Sequence, residues 1–218
     1  MGGHARAWRV VSAVEVVLAS AAVAVDLFLP AVVLGGMAVV SLLVRRRGPG
    51  TLGFHRLPHA GTRLAQVAGL TVVWTAMVFG VVMPVAEHLT GSTQDIGEFA
   101  GLEGDVGKLL LFLALSWTLA ALVEELAFRG YLLTRITDVV GDSGPARAGA
   151  VVAVAMLFGL IHAEQGPVGM ALVVVDATYY GVLRYVFRSV WAPVVAHGVS
   201  NTIGMLAFFL VGPFGAPW

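Results

Sequence analysis

The sequence has no cysteine, which excludes disulfides, thiolate catalysis and cysteine metal sites. It is also poor in charge: 12% of its 218 residues are charged and 58% are hydrophobic. A soluble domain carries about 25% charged residues, so too few polar side chains remain to cover a water-facing surface. The composition is that of an all-α, polytopic membrane protein. A net charge of zero argues against nucleic acid as a partner. Lysine is nearly absent as well, with Lys108 alone against mostly arginine and abundant Ala, Val and Gly. That usage suggests a prokaryotic plasma membrane. Length allows a single membrane domain over 1–218 with no sizeable soluble one, and nothing fixes an oligomeric state.

A helix needs about 20 mostly apolar residues to cross the hydrocarbon core. Hydropathy predicts about seven spans (six to eight), near 10–25, 27–44, 64–86, 108–140, 148–163, 167–184 and 189–211. Asp26 and Pro30 separate the first two, which form either a tight hairpin or one broken element. The run after Arg6 and Arg9, ending in "ASAAVA", resembles a signal peptide. Glu15 interrupts it and a second apolar segment follows at once, which favours an uncleaved first helix. The connection at 45–63 carries Arg45, Arg46, Arg47, Arg56 and Arg63. The connection at 87–107 carries Glu87, Asp95, Glu98, Glu103 and Asp105 with no Lys or Arg. Positive-inside asymmetry puts 45–63 in the cytoplasm and 87–107 outside.

The fourth span holds "LVEELAFRGYLL" at 122–133. Eleven Leu, Val or Phe residues between Leu109 and Phe128 favour insertion by about 3 to 7 kcal/mol in total. Each charge at the helix centre costs about 2.5 to 3.5 kcal/mol. Glu124, Glu125 and Arg129 would cancel that gain if they faced lipid. Glu125 and Arg129 are four apart with the acid N-terminal, the favoured order for a salt bridge. Glu124 points about 100° away and has no local counter-charge. A structural polar knot explains the pair; an unpaired intramembrane acid points to a functional site.

Two later spans carry "FGLIH", with Phe158 and His162, and "HGVSN", with His197 and Asn201. Counted from the basic turns at about 1.5 Å per residue, Glu124 lies about 24 Å deep, His162 about 21 Å, His197 about 14 Å and Asn201 about 20 Å. Polar groups from three helices can therefore reach one layer. A shielded carboxylate beside a neutral imidazole can hold and deprotonate water. A second imidazole and an amide N–H can donate to an oxyanion. This reading makes Glu124 the general base, His162 its water-orienting partner, and His197 with Asn201 the oxyanion site. Glu125–Arg129 is then a supporting brace.

The three motifs, in this order on late helices, resemble the EExxxR, FxxxH and HxxxN signatures of the CPBP intramembrane endopeptidases, the family of the CAAX prenyl-proteases and Abi proteins. The resemblance covers about residues 108–205, beyond the N-terminal helices at 10–86. It implies an all-helical fold with an intramembrane active site, and it implies the same roles for Glu124, His162, His197 and Asn201. The family has been described both as metalloproteases and as glutamate-dependent proteases. Glu and His can ligate zinc. The lack of HExxH and the presence of Asn favour a metal-free reaction with no cofactor.

The expected partner is a membrane-tethered protein or peptide, with or without a lipid modification, within the bilayer. An ion- or proton-coupled transporter is the rival reading, disfavoured because the acids cluster and no paired broken helices recur. A non-cleaving immunity or binding protein of the same fold is the third. Asp176, four before Tyr180, and Glu15 are intramembrane acids outside the motifs. Asp176 pairs with Arg129, lines the cavity or lies nearer the surface, and Glu15 can snorkel if its helix is short.

Overall fold

The computed structural model describes residues 3–212, and helix is the only regular structure among them. The helical rods are α1 (Gly3–Ala24), α2 (Pro30–Arg45), α3 (Ala60–Thr90), α4 (Val106–Val140), α5 (Gly144–Leu160), α6 (Gly166–Val186) and α7 (Trp191–Val211). Each falls on one of the expected spans. Five of them, α1, α3, α4, α6 and α7, are long and apolar enough to cross a membrane. The other two, α2 and α5, are shorter apolar helices of 16 and 17 residues. Large apolar side chains such as Val17, Leu43, Val73, Leu110 and Leu210 face outward, as a lipid-facing surface requires.

Local chemistry sets the ends of the rods. Pro30 opens α2, where its missing N–H is no loss. Arg46 closes that helix in the left-handed region, at φ 51°, turning its N–H back to the Leu42 and Leu43 carbonyls. Asp105 caps α4 by accepting the Lys108 N–H at 2.9 Å. Ser143 caps α5 by accepting from Ala146.

Two rods depart from α geometry. Val78–Val82 in α3 winds as a π-helix, as do Ser116–Glu124 and Leu126–Leu132 in α4. Such wide turns are rare and concentrate at functional sites. In α4 they flank the acidic doublet.

The rods run antiparallel, so the connections gather at two ends. At one end Ser189 Oγ donates to the His55 carbonyl at 2.9 Å, and Val190 N donates to that of Gly53 at 2.9 Å. This end carries the arginines of 45–63 together with Arg135, Arg147, Arg184 and Arg188. At the other end Asp95 N donates to Gln165 O at 3.0 Å, and Gly104 N to Phe209 O at 3.1 Å. It carries Asp26, Glu87, Asp95, Glu98, Glu103, Asp105 and Glu164, with Lys108 the one Lys or Arg in its connections and flanking turns.

The core lies between α1, α2, α4 and α5, around Leu34, Phe128, Tyr131, Leu132 and Val154. Glycine brings α5 and α6 close: a Cβ on Gly159 would meet the Met170 carbonyl oxygen at 3.2 Å and the Val174 side chain at 2.5 Å. Small residues at such contacts are how membrane helices pack without a hydrophobic driving force. Glu15 does not rely on snorkelling. Its carboxylate takes Arg45 Nη2 at 2.7 Å and lies 3.8 Å from Arg135 Nε, tying α1 to α2 and α4 near the basic end.

Candidate active site

A cavity of about 920 Å³ opens among α2, α3, α4, α5, α6 and α7. Glu124, Phe158, His162, His197 and Asn201 all line it, so the residues singled out on three helices do converge. Val32, Leu115 and Leu119 line it too and are accessible, so α2 and α4 give the cavity an apolar wall.

Glu125 and Arg129 stand behind that wall. They are 0% and 1% exposed, and Arg129 Nη1 donates to Glu125 Oε1 at 2.8 Å. The expected ion pair is present, with more attached than i,i+4 spacing shows. His197 Nδ1 lies 2.9 Å from the same Oε1, and Arg129 Nη2 donates to the Ala177 carbonyl at 3.1 Å. The guanidinium sits over Phe158, 4.3 Å from its centroid, and over Tyr180 at 5.5 Å. One arginine thus fastens α4 to α5 and α6, and its carboxylate partner reaches α7.

The hydrogen bonds fix which ring nitrogens face the cavity. His162 Nδ1 lies 2.9 Å from the Phe158 carbonyl. A carbonyl only accepts, so Nδ1 carries the proton and neutral His162 presents a bare Nε2. His197 donates Nδ1–H to a carboxylate, so its Nε2 is also bare when the ring is neutral. Phe158 serves both rings, with centroids 4.8 Å from His162 and 6.0 Å from His197. Tyr180 stacks on His197 at 5.1 Å and 18°.

Glu124 differs from its neighbour in having no hydrogen-bonding partner among the described residues, and its Oε2 is buried. Asn201 Nδ2 donates one hydrogen to Ser116 Oγ at 3.1 Å, leaving its second N–H for another acceptor. Asp176 lines the cavity, and its Oδ1 accepts from Trp74 Nε1 at 2.7 Å. Arg129 makes its bonds elsewhere. Of the three places expected for Asp176, it takes the cavity wall. Sequence reasoning missed Tyr180 as the platform for His197, along with Ser116 and Trp74. Only the Asp176–Tyr180 spacing hinted at a lined face on α6.

Fold and cavity define the class: a polytopic helical membrane protein with a mainly apolar chamber, carrying a polar cluster, sunk among its helices. Residues 106–203, from the start of α4 into α7, match the family described as Rce1-like, type II CAAX prenyl endopeptidase Rce1-like. The match agrees with the CPBP signatures and supports a CAAX-type intramembrane endopeptidase in general. Neither the curated proteins nor the solved structures gave a match.

Proposed function

We propose that the protein hydrolyses a peptide bond in a membrane-tethered substrate, with Glu124 activating the attacking water. The observation that carries this reading is an unpartnered Glu124 carboxylate sharing one cavity with the bare Nε2 of His162. Glu124 takes a proton from water while His162 Nε2 accepts the second O–H and aims the oxygen. The oxygen attacks the carbonyl carbon, and the carbonyl π electrons move onto oxygen. Asn201 donates its free N–H to that oxyanion. His197 joins it as imidazolium, since only then does Nε2 carry a hydrogen, and the Glu125 carboxylate stabilises that state. Glu124 then returns its proton to the leaving nitrogen as the C–N bond breaks.

The reaction is metal-free in this reading. Among the described residues no three His, Cys, Asp or Glu side chains converge to hold an ion. In this reading the substrate enters from the bilayer between α2 and α4. The basic end faces the cytoplasm of a prokaryotic cell and the acidic end faces out.

Glu124→Gln tests the core of this reading. It keeps the shape and removes the base, so the variant should insert and fold while cleavage falls by at least about 10²-fold. Comparative membrane proteomics, looking for uncut precursors that accumulate in the variant, reads the result. Full activity in a folded Glu124→Gln protein sinks the assignment, and ion flux through proteoliposomes that survives the substitution favours the transporter.

A further inference from the structure

The side chains lining the cavity include six carboxylates and no Lys or Arg. Glu124 and Asp176 lie deep, whereas Asp26, Glu87, Glu98 and Glu164 come from three different connections and helix ends at the mouth. Glu87 is the telling member. It sits on the last turn of α3, is 7% exposed, and lines the cavity. Its Oε1 takes the Gln94 N–H at a long 3.4 Å, and its buried Oε2 has no partner among the described residues. A buried carboxylate oxygen left unpaired costs free energy unless a donor completes it. Among the described residues no Lys or Arg lies there: Lys108 does not line the cavity, and the arginines lie at the opposite end or behind its wall.

A donor carried by a bound ligand can complete it. A compact metal ion fits poorly, because among the described residues no three carboxylate or imidazole groups converge. Carboxylates strung along a mouth suit charges strung along a chain.

We propose that the acidic mouth recognises a lysine- or arginine-bearing flank of the substrate, next to the segment that enters the cavity. This rests on the endopeptidase reading and names its substrate class. The Glu87 carboxylate takes the innermost ammonium or guanidinium, and Glu98, Glu164 and Asp26 hold the outer ones.

The test uses the full protein in nanodiscs of neutral lipid. Two fluorescent transmembrane peptides share one apolar segment and differ only in a short lysine or glutamine flank on the water side. The lysine peptide should bind about tenfold more tightly at low salt, as opposed charges meeting across a partly dry interface do. Glu87→Gln should remove most of that difference. Glu98→Gln and Asp26→Asn, at exposed positions that leave the fold alone, should each narrow it. Equal affinities in the wild type overturn the proposal, and so does a preference that all three variants keep. Cleavage measured on the same samples separates the two readings. Glu124-dependent cleavage of both peptides with equal affinities leaves the endopeptidase standing without the flank. A Glu87-dependent preference with no cleavage supports flank recognition and removes the endopeptidase.

Discussion

Arg129 and Glu125 show how far one buried charge pair can reach. The pair lies fully inside the bundle, where its desolvation is offset only by good geometry and additional hydrogen bonds. His197 and the Ala177 carbonyl supply those bonds. Arg129→Ala leaves Glu125 buried without its cation and removes the link from α4 to α6, so stability should fall by about 3–5 kcal/mol. Thermal unfolding in detergent measures it, and an unchanged midpoint means the pair braces nothing. Glu125→Gln separates positioning from catalysis. The amide no longer stabilises a protonated His197, so kcat should drop by about 10²–10³, the size of losing one oxyanion donor, with little change in KM. A rise in KM alone would assign Glu125 to substrate binding instead. The motif residues were legible because i,i+4 spacing is local. The His197–Glu125 bond spans 72 residues in sequence, and no helical periodicity can reveal it.

Among the elements, α5 and α6 pack on glycine. Gly159 lies beside Phe158 and three residues before His162, and its missing Cβ lets the Met170 carbonyl approach. Gly159→Ala should cost about 1–3 kcal/mol by overpacking and shift the His162 backbone, lowering activity as well. Gly149→Ala, on the same helix with nothing within 4 Å, should instead be neutral or stabilising. Parallel unfolding and cleavage assays distinguish the two; equal effects would remove the close approach as the cause. The number of helices and their approximate extents could be read directly from apolar run length. The π-wound turns of α4 could not. They are a compromise between helix hydrogen bonds and tertiary demands on Glu124, Glu125 and Arg129, and the sequence of α4 alone holds only the first of these. Depths counted at the ordinary α rise consequently placed the groups in the right layer without their true facing.

For the whole molecule, charge separation between the two ends matters most. Positive-inside reading found it in two connections, and the fold gathers the other connections to match. Glu98 lies in the acidic connection, outside the membrane-spanning helices. Burial at the mouth raises its pKa first, and the neighbouring Glu164 and Asp95 raise it further. A cationic flank binds the ionised carboxylate, so the preference for lysine should be largest above the raised value and fade as pH falls through it. Salt should weaken it as well, since exposed charges are screened within about 8 Å at physiological ionic strength. Affinity ratios for the paired peptides across pH and salt test this. A ratio that grows on acidification contradicts it. Elemental analysis of purified active protein should find no stoichiometric zinc, and a stoichiometric amount needed for activity would replace the metal-free scheme.

The wide turns of α4 also bear on how the chain tolerates a change of length. In an ordinary α-helix each residue turns the side-chain direction by about 100°, so losing one swings everything beyond it out of register. A stretch that already bonds one residue further along can absorb such a loss by tightening. A single deletion between Ser116 and Ala121 should therefore still give an inserted bundle with its lipid face intact. What it loses is the aim of Glu124 into the cavity. The slack in this helix acts as an adjustable gauge for one carboxylate.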